Sequence, residues 1–150
     1  MKTIQEYGDL AHENFEKGYN CCQSVVLAFE DLLEVDRDTL ARLASGFGAG
    51  MGKMREVCGA VSGMFMVASM LKGYDSPTAT TEKVDTYAMI MGLGDEFKKE
   101  FGTIICRELL NLNPDGTPVP SERTPEYYKK RPCGEMCRVA GRILAEYLSK

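Results

Sequence analysis

The sequence predicts an all-α protein: a single-domain multi-helix bundle over residues 1–150, built around a central buried helix near residues 55–72. Three observations predict it. Apolar residues recur at i, i+3 and i+4 through most of the chain. No stretch alternates apolar and polar for strand length between turn signals. Cap residues precede most of the apolar runs.

Taken in order, Ile4, Tyr7, Ala11 and Phe15 share one face of a first helix that ends near Gly18. Asn20 is suited to cap a second helix, with Cys21 and Cys22 in its first turn and Val25, Ala28, Phe29, Leu32 and Leu33 on its apolar face. Asp36 or Asp38 caps a short third helix through Leu40, Leu43 and Ala44, which the alternating glycines from Gly46 to Gly52 break. The segment from Arg55 to Lys72 is apolar on nearly every side, the pattern of a buried helix. Gly73 ends it, and Asp75-Ser76-Pro77 makes a loop. Thr80 or Thr81 then caps a long helix with Val84, Tyr87, Ala88, Met91, Phe97 and Phe101 on one face, where Gly92 and Gly94 are expected to introduce a bend. Gly102-Thr103 opens a short helix with Ile104, Ile105, Cys106, Leu109 and Leu110. Asn111 to Arg123 reads as a surface loop, Thr124-Pro125 as a helix start, and Pro132 as the start of a last helix carrying Met136, Ala140, Ile143, Leu144, Tyr147 and Leu148.

Composition narrows the function. A chain of 150 residues, 44% hydrophobic and 27% charged, is neither a disordered tail nor a coiled-coil rod. The net charge of −4, without a basic patch, argues against nucleic acid and anionic membrane as partners. The first residues lack the layout of a signal peptide, and the longest apolar stretch, Val57 to Leu71, falls short of the ~20 residues a membrane helix needs. The expectation is a cytoplasmic protein.

The glycine run matches neither G-x-G-x-x-G nor the P-loop pattern and follows no strand, so it reads as an interhelical turn that can admit a partner ahead of Cys58. The lone His12 sits on the polar side of its helix and reads as a solvated residue.

Six cysteines remain: Cys21, Cys22, Cys58, Cys106, Cys133 and Cys137. In a reducing compartment such a set points to metal binding or redox chemistry rather than to a disulfide scaffold. Most fall at or near helix starts, where backbone N–H groups and the helix dipole favour the thiolate needed for nucleophilic attack or metal ligation. No C-x-x-C is present, so only the fold can bring these thiols together. Cys133 and Cys137, four residues apart, share a helix face.

Gly18-Tyr19-Asn20-Cys21, then Cys58-Gly59-Ala60-Val61-Ser62-Gly63, then single later cysteines, resembles the redox-active protein family with the C…CGAxxG…C…C pattern, across essentially the whole chain. The resemblance implies that Cys21, Cys58, Cys106 and one of Cys133 or Cys137 are the working thiols. Cys133 is preferred, and Cys22 is an extra thiol. It also implies that Gly59, Ala60 and Gly63 keep the surface thin around Cys58. Some relatives carry the module beside haem-binding segments, which this chain lacks. There the cysteines look like iron–sulfur ligands.

Two chemistries follow. In one, Cys21, Cys58, Cys106 and Cys133 or Cys137 ligate a [2Fe–2S] cluster or another thiolate-bound metal. In the other, the thiols of Cys21, Cys58, Cys106 and Cys133 cycle between dithiol and disulfide, making the chain an oxidoreductase or electron-transfer component. A redox partner protein would dock near the glycine-rich loop, and a homo-oligomer is left open. The competing class is a non-catalytic helical binding module that uses Met64, Met66, Met70, Met89 and Met91 for contact.

Overall fold

The computed structural model describes residues 1–150 and is all-α. Helix α1 (Ile4–Glu16) starts at a capping box in which Thr3 accepts from the Glu6 amide and Glu6 reaches back to Thr3. Helix α2 (Cys21–Ala28) starts at a second box, Asn20 with Gln23. Helix α3 (Arg37–Ala44) is capped by Asp36, not Asp38. Then come α4 (Gly59–Lys72), α5 (Thr81–Phe101), α6 (Cys106–Leu110), α7 (Pro125–Lys130) and α8 (Cys133–Leu148). None is long and apolar enough to cross a membrane.

Helix α2 packs against α1, α4 and α8, α8 also packs against α1 and α4, and α5 is laid over α4 and α8. Tyr7 of α1 stacks on Phe29 at 4.4 Å between ring centroids, and its hydroxyl donates to Asp31 at 2.8 Å. The buried Asn14 amide donates to the Ser24 carbonyl, a polar tie between α1 and α2.

Several expectations need correction. The central buried helix starts at Gly59 rather than Arg55, because residues 55–58 are drawn out along residues 104–107. Its first half is buried, but Met70 and Leu71 in its last turn are exposed. Helix α2, buried on all sides but Gln23, shares the centre. On α5 the buried face is Thr86, Met89, Leu93 and Phe97, while Val84, Tyr87 and Met91 point to solvent. Leu43 of α3 is likewise exposed. The methionines do not form one contact face: Met64 and Met89 lie in the core, whereas Met70 and Met91 are outside it.

Two irregular features position the site. The first is an isolated antiparallel bridge between Val57 and Ile105. The Cys58 amide donates to the Ile104 carbonyl at 2.8 Å and the Cys106 amide to the Glu56 carbonyl at 2.6 Å. Residues 58 and 106 each follow a bridge partner, so their side chains fall on the same face of this clasp. The second is a left-handed turn where the glycine run was expected to break the chain. Ala49, Gly50, Met51, Gly52 and Lys53 all have φ between 55° and 71°, and Arg55 follows at 59°. The Gly52 amide closes the turn on the Gly48 carbonyl at 3.0 Å, and the Glu56 amide donates to the Gly50 carbonyl at 2.9 Å. Left-handed geometry costs roughly 1–2 kcal/mol for each L-residue that adopts it. The surrounding contacts hold this strain beside the cysteines.

Candidate functional site

The start of a helix places each of four cysteines. Cys21 is the first residue of α2, held there by the Asn20 cap. Cys58 is the N-cap of α4, Cys106 opens α6 and Cys133 opens α8. These four helix ends converge, and all four residues line one cavity of about 530 Å³. Cys21 and Cys133 each lie within charge-interaction range of the other three.

Gly59 makes the convergence possible. A Cβ there would stand 2.4 Å from Cys21 Sγ and 2.9 Å from the Phe47 carbonyl, so a larger residue would force α4 away from α2. Of the three small residues in the hexapeptide, only Gly59 reaches the cavity. Gly63 instead lets the Cys22 carbonyl approach, at 2.8 Å from where its Cβ would be, and Ala60 is wholly buried.

The other two cysteines stay out. Cys22 is fully buried with its sulfur 3.8 Å from Met66 Sδ. Cys137 is fully buried and its thiol faces the Cys21 carbonyl at 3.7 Å. The cavity wall therefore carries Cys133, while Cys137 lies behind it in the core, still within charge-interaction range of Cys21, Cys58 and Cys133.

The electrostatics differ from the sequence reading. Backbone amides at the start of α4 do favour a charged Cys58 sulfur, but loss of hydration outweighs them and holds the thiol well above its ordinary range. Desolvation likewise raises Cys21 and Cys137, and pushes Cys22 and Cys133 up to about 12. These cysteines are neutral thiols at neutral pH. Cys106 is distinguished by a cation. The Arg55 guanidinium, only 6% exposed, points its Nη1 at Cys106 Sγ from 3.7 Å.

Sequence reasoning missed the arginines of this cavity. Arg55, Arg123 and Arg131 line it, and no aspartate or glutamate does. The only signal was Arg131 two residues ahead of Cys133. Arg123 donates to the Phe15 and Tyr19 carbonyls at 2.6 and 2.8 Å, tying the loop before α7 to the end of α1, and lies over the Phe15 ring.

Four thiols are the right donor chemistry for a thiolate-bound metal or a [2Fe–2S] cluster. In this arrangement, however, no group of three or more cysteine, histidine or acidic side chains is placed to hold a metal ion. All six cysteines are free thiols.

A family model described as "Putative redox-active protein (C_GCAxxG_C_C)" matches residues 19–147. Its label writes glycine before cysteine, whereas this chain reads Cys58-Gly59-Ala60, with Gly63 following as in the label. No curated protein and no solved structure matches the chain.

Proposed function

The chain belongs to the C_GCAxxG_C_C family of redox-active proteins, and from that premise we propose that it transfers electron pairs by thiol–disulfide exchange in the four-cysteine cavity. The observation that supports the reading is convergence. Cys21, Cys58, Cys106 and Cys133 come from four separate segments to one cavity, and one of them carries a guanidinium on its sulfur.

Cys106 is the attacking sulfur, since its Sγ is the one a guanidinium touches, with Arg55 Nη1 at 3.7 Å. It attacks one sulfur of an incoming disulfide; that S–S bond breaks, and the departing sulfur takes up the proton Cys106 gives away. Cys21, passing its proton to the leaving sulfur, then attacks the mixed disulfide at Cys106 as the thiolate. A Cys21–Cys106 bond forms and the second half leaves as a thiol with the proton from Cys21. Two electrons pass to the incoming disulfide, and the reverse sequence restores the dithiol. A cytoplasmic setting, whose reductants regenerate thiols, suits the cycle.

The test is a redox titration of the anaerobically purified chain, with alkylation and mass spectrometry at each potential. The expected result is one intramolecular disulfide drawn from Cys21, Cys58, Cys106 and Cys133, lost in Cys106→Ser and kept in Cys22→Ala. Two results overturn the reading: no such disulfide at any potential, or stoichiometric iron or zinc with a thiolate absorption band. The second would restore metal ligation by the same sulfurs.

A further inference from the structure

We propose that this cavity is built for a small anionic disulfide: a low-molecular-weight molecule whose carboxylates engage Arg55, Arg123 and Arg131 while its S–S bond meets Cys106. The proposal rests on the thiol–disulfide reading above and names the substrate class of that site.

The argument is one of unbalanced charge. The whole chain carries −4, yet the only charged side chains on the cavity wall are basic. Lys53 is already paired with Asp115 at 3.1 Å, and the nearby Arg107 with Glu56 at 3.1 Å. The three cavity arginines have no such partner. Arg55 is 6% exposed, and its guanidinium has only a sulfur as acceptor. Arg123 spends its donors on two backbone carbonyls, and Arg131 reaches Ser121 Oγ at 3.4 Å and lies over the Tyr127 ring. None of these contacts neutralises a positive charge. A buried cation without a counter-charge is costly, and an entering anion relieves that cost in proportion to how poorly water can do so. Guanidinium groups match carboxylates with paired hydrogen bonds.

The size agrees. About 530 Å³ lies within the usual range for small-molecule sites. The starts of α2, α4 and α8 also face this space, and their dipoles add positive potential. Each turnover would follow the balance already given, with two protein thiols becoming one disulfide and the small disulfide becoming two thiols.

The experiment uses the full chain in its reduced form. Its oxidation by oxidised glutathione (anionic) is compared with that by bis(2-hydroxyethyl) disulfide (neutral) and cystamine (cationic). Calorimetry with S-methylglutathione, which keeps the carboxylates but cannot exchange, reads binding alone. The expected result is oxidation by the anionic disulfide about tenfold or more faster than by the others at low salt, with the gap narrowing as salt rises. Arg131→Gln, at a partly exposed position that spares the fold, should cut the anionic-to-neutral rate ratio and the S-methylglutathione affinity by about tenfold each. Arg123→Gln should do the same and is a second route if one variant folds poorly. Equal rates for all three disulfides, with no arginine-dependent binding, overturn the anion site while the redox reading stands. No oxidation by any of them, with arginine-dependent S-methylglutathione binding intact, overturns the redox reading and keeps the anion site.

Discussion

The α-carbon of Gly59 faces the sulfur of Cys21 so closely that one added methyl group would stand 2.4 Å from it. Helix α4 can bring Cys58 beside Cys21 only because residue 59 has no side chain.

Gly59→Ala should therefore destabilise the chain by about 1–3 kcal/mol, the overpacking outweighing the roughly 1 kcal/mol gain in helix propensity. Urea unfolding measures it. Adding Cys21→Ala should recover part of the loss, since the Phe47 carbonyl, 2.9 Å from the same point, still objects. A Gly59→Ala chain as stable as the parent would show that α4 and α2 are not in this contact.

Cys22 and Cys137 are core residues, so Cys22→Ala and Cys137→Ala should each cost about 1–2 kcal/mol in thermal unfolding. Neither should change which disulfide forms among the cavity thiols. Cys133→Ala removes a cavity wall residue and should alter the alkylation pattern of its neighbours. The reverse result, with Cys137 protected by oxidation and Cys133 indifferent, would exchange their roles.

Alkaline pH should weaken the fold. Desolvation raises Cys22 and Cys133 from the ordinary 9.0 to about 12. Between those values the unfolded chain has lost thiol protons that the folded chain keeps, so stability falls as pH rises from about 9 toward 12 and is fully present below 9. Tyr7, raised from 10.0 to about 12 chiefly by desolvation, steepens the fall above pH 10. Melting temperature measured against pH checks the sign, and Cys22→Ala should make the decline shallower.

Asn20→Ala removes both the cap of α2 and the 2.9 Å hydrogen bond from its amide to the Ser45 carbonyl. A cost of about 1–2 kcal/mol is expected from chemical denaturation. Because that cap fixes the first turn holding Cys21, disulfide formation should slow as well. Asn20→Asp, which keeps the oxygen that accepts from Gln23 but sets a second acceptor against the Ser45 carbonyl, should restore only the cap's share of the stability.

Local chemistry was legible in the sequence wherever it was also decisive. Asn20 and Thr124 mark helix starts because side-chain caps act within one turn, Pro132 marks the last helix without a side-chain cap, and of the two candidates Asp36 and Asp38 the third helix takes Asp36. The cysteine set was legible through its motif and its helix-start positions. The buried face of α5 was not. That helix carries two apolar stripes, and periodicity cannot say whether Tyr87 and Met91 or Met89 and Leu93 meet the bundle. The cavity arginines were invisible for a related reason. Arg55, Arg123 and Arg131 lie in three separate irregular stretches, and only the folded chain gathers their charge. The protonation of the thiols was misjudged because dipole and cap are local, whereas desolvation is a property of everything packed around them.

The left-handed turn from Ala49 to Lys53 has a stereochemical consequence. Here L-amino acids occupy the well that belongs by symmetry to their mirror images. A chain assembled by chemical ligation with D-alanine at position 49 would place that residue in its own preferred conformation, and should melt later than the natural chain by an amount equivalent to about 1 kcal/mol. D-alanine at position 60, inside right-handed α4, should do the opposite. A single inverted centre would thus tell apart two alanines identical in composition, and the handedness preferred at residue 49 would be read directly from a melting curve.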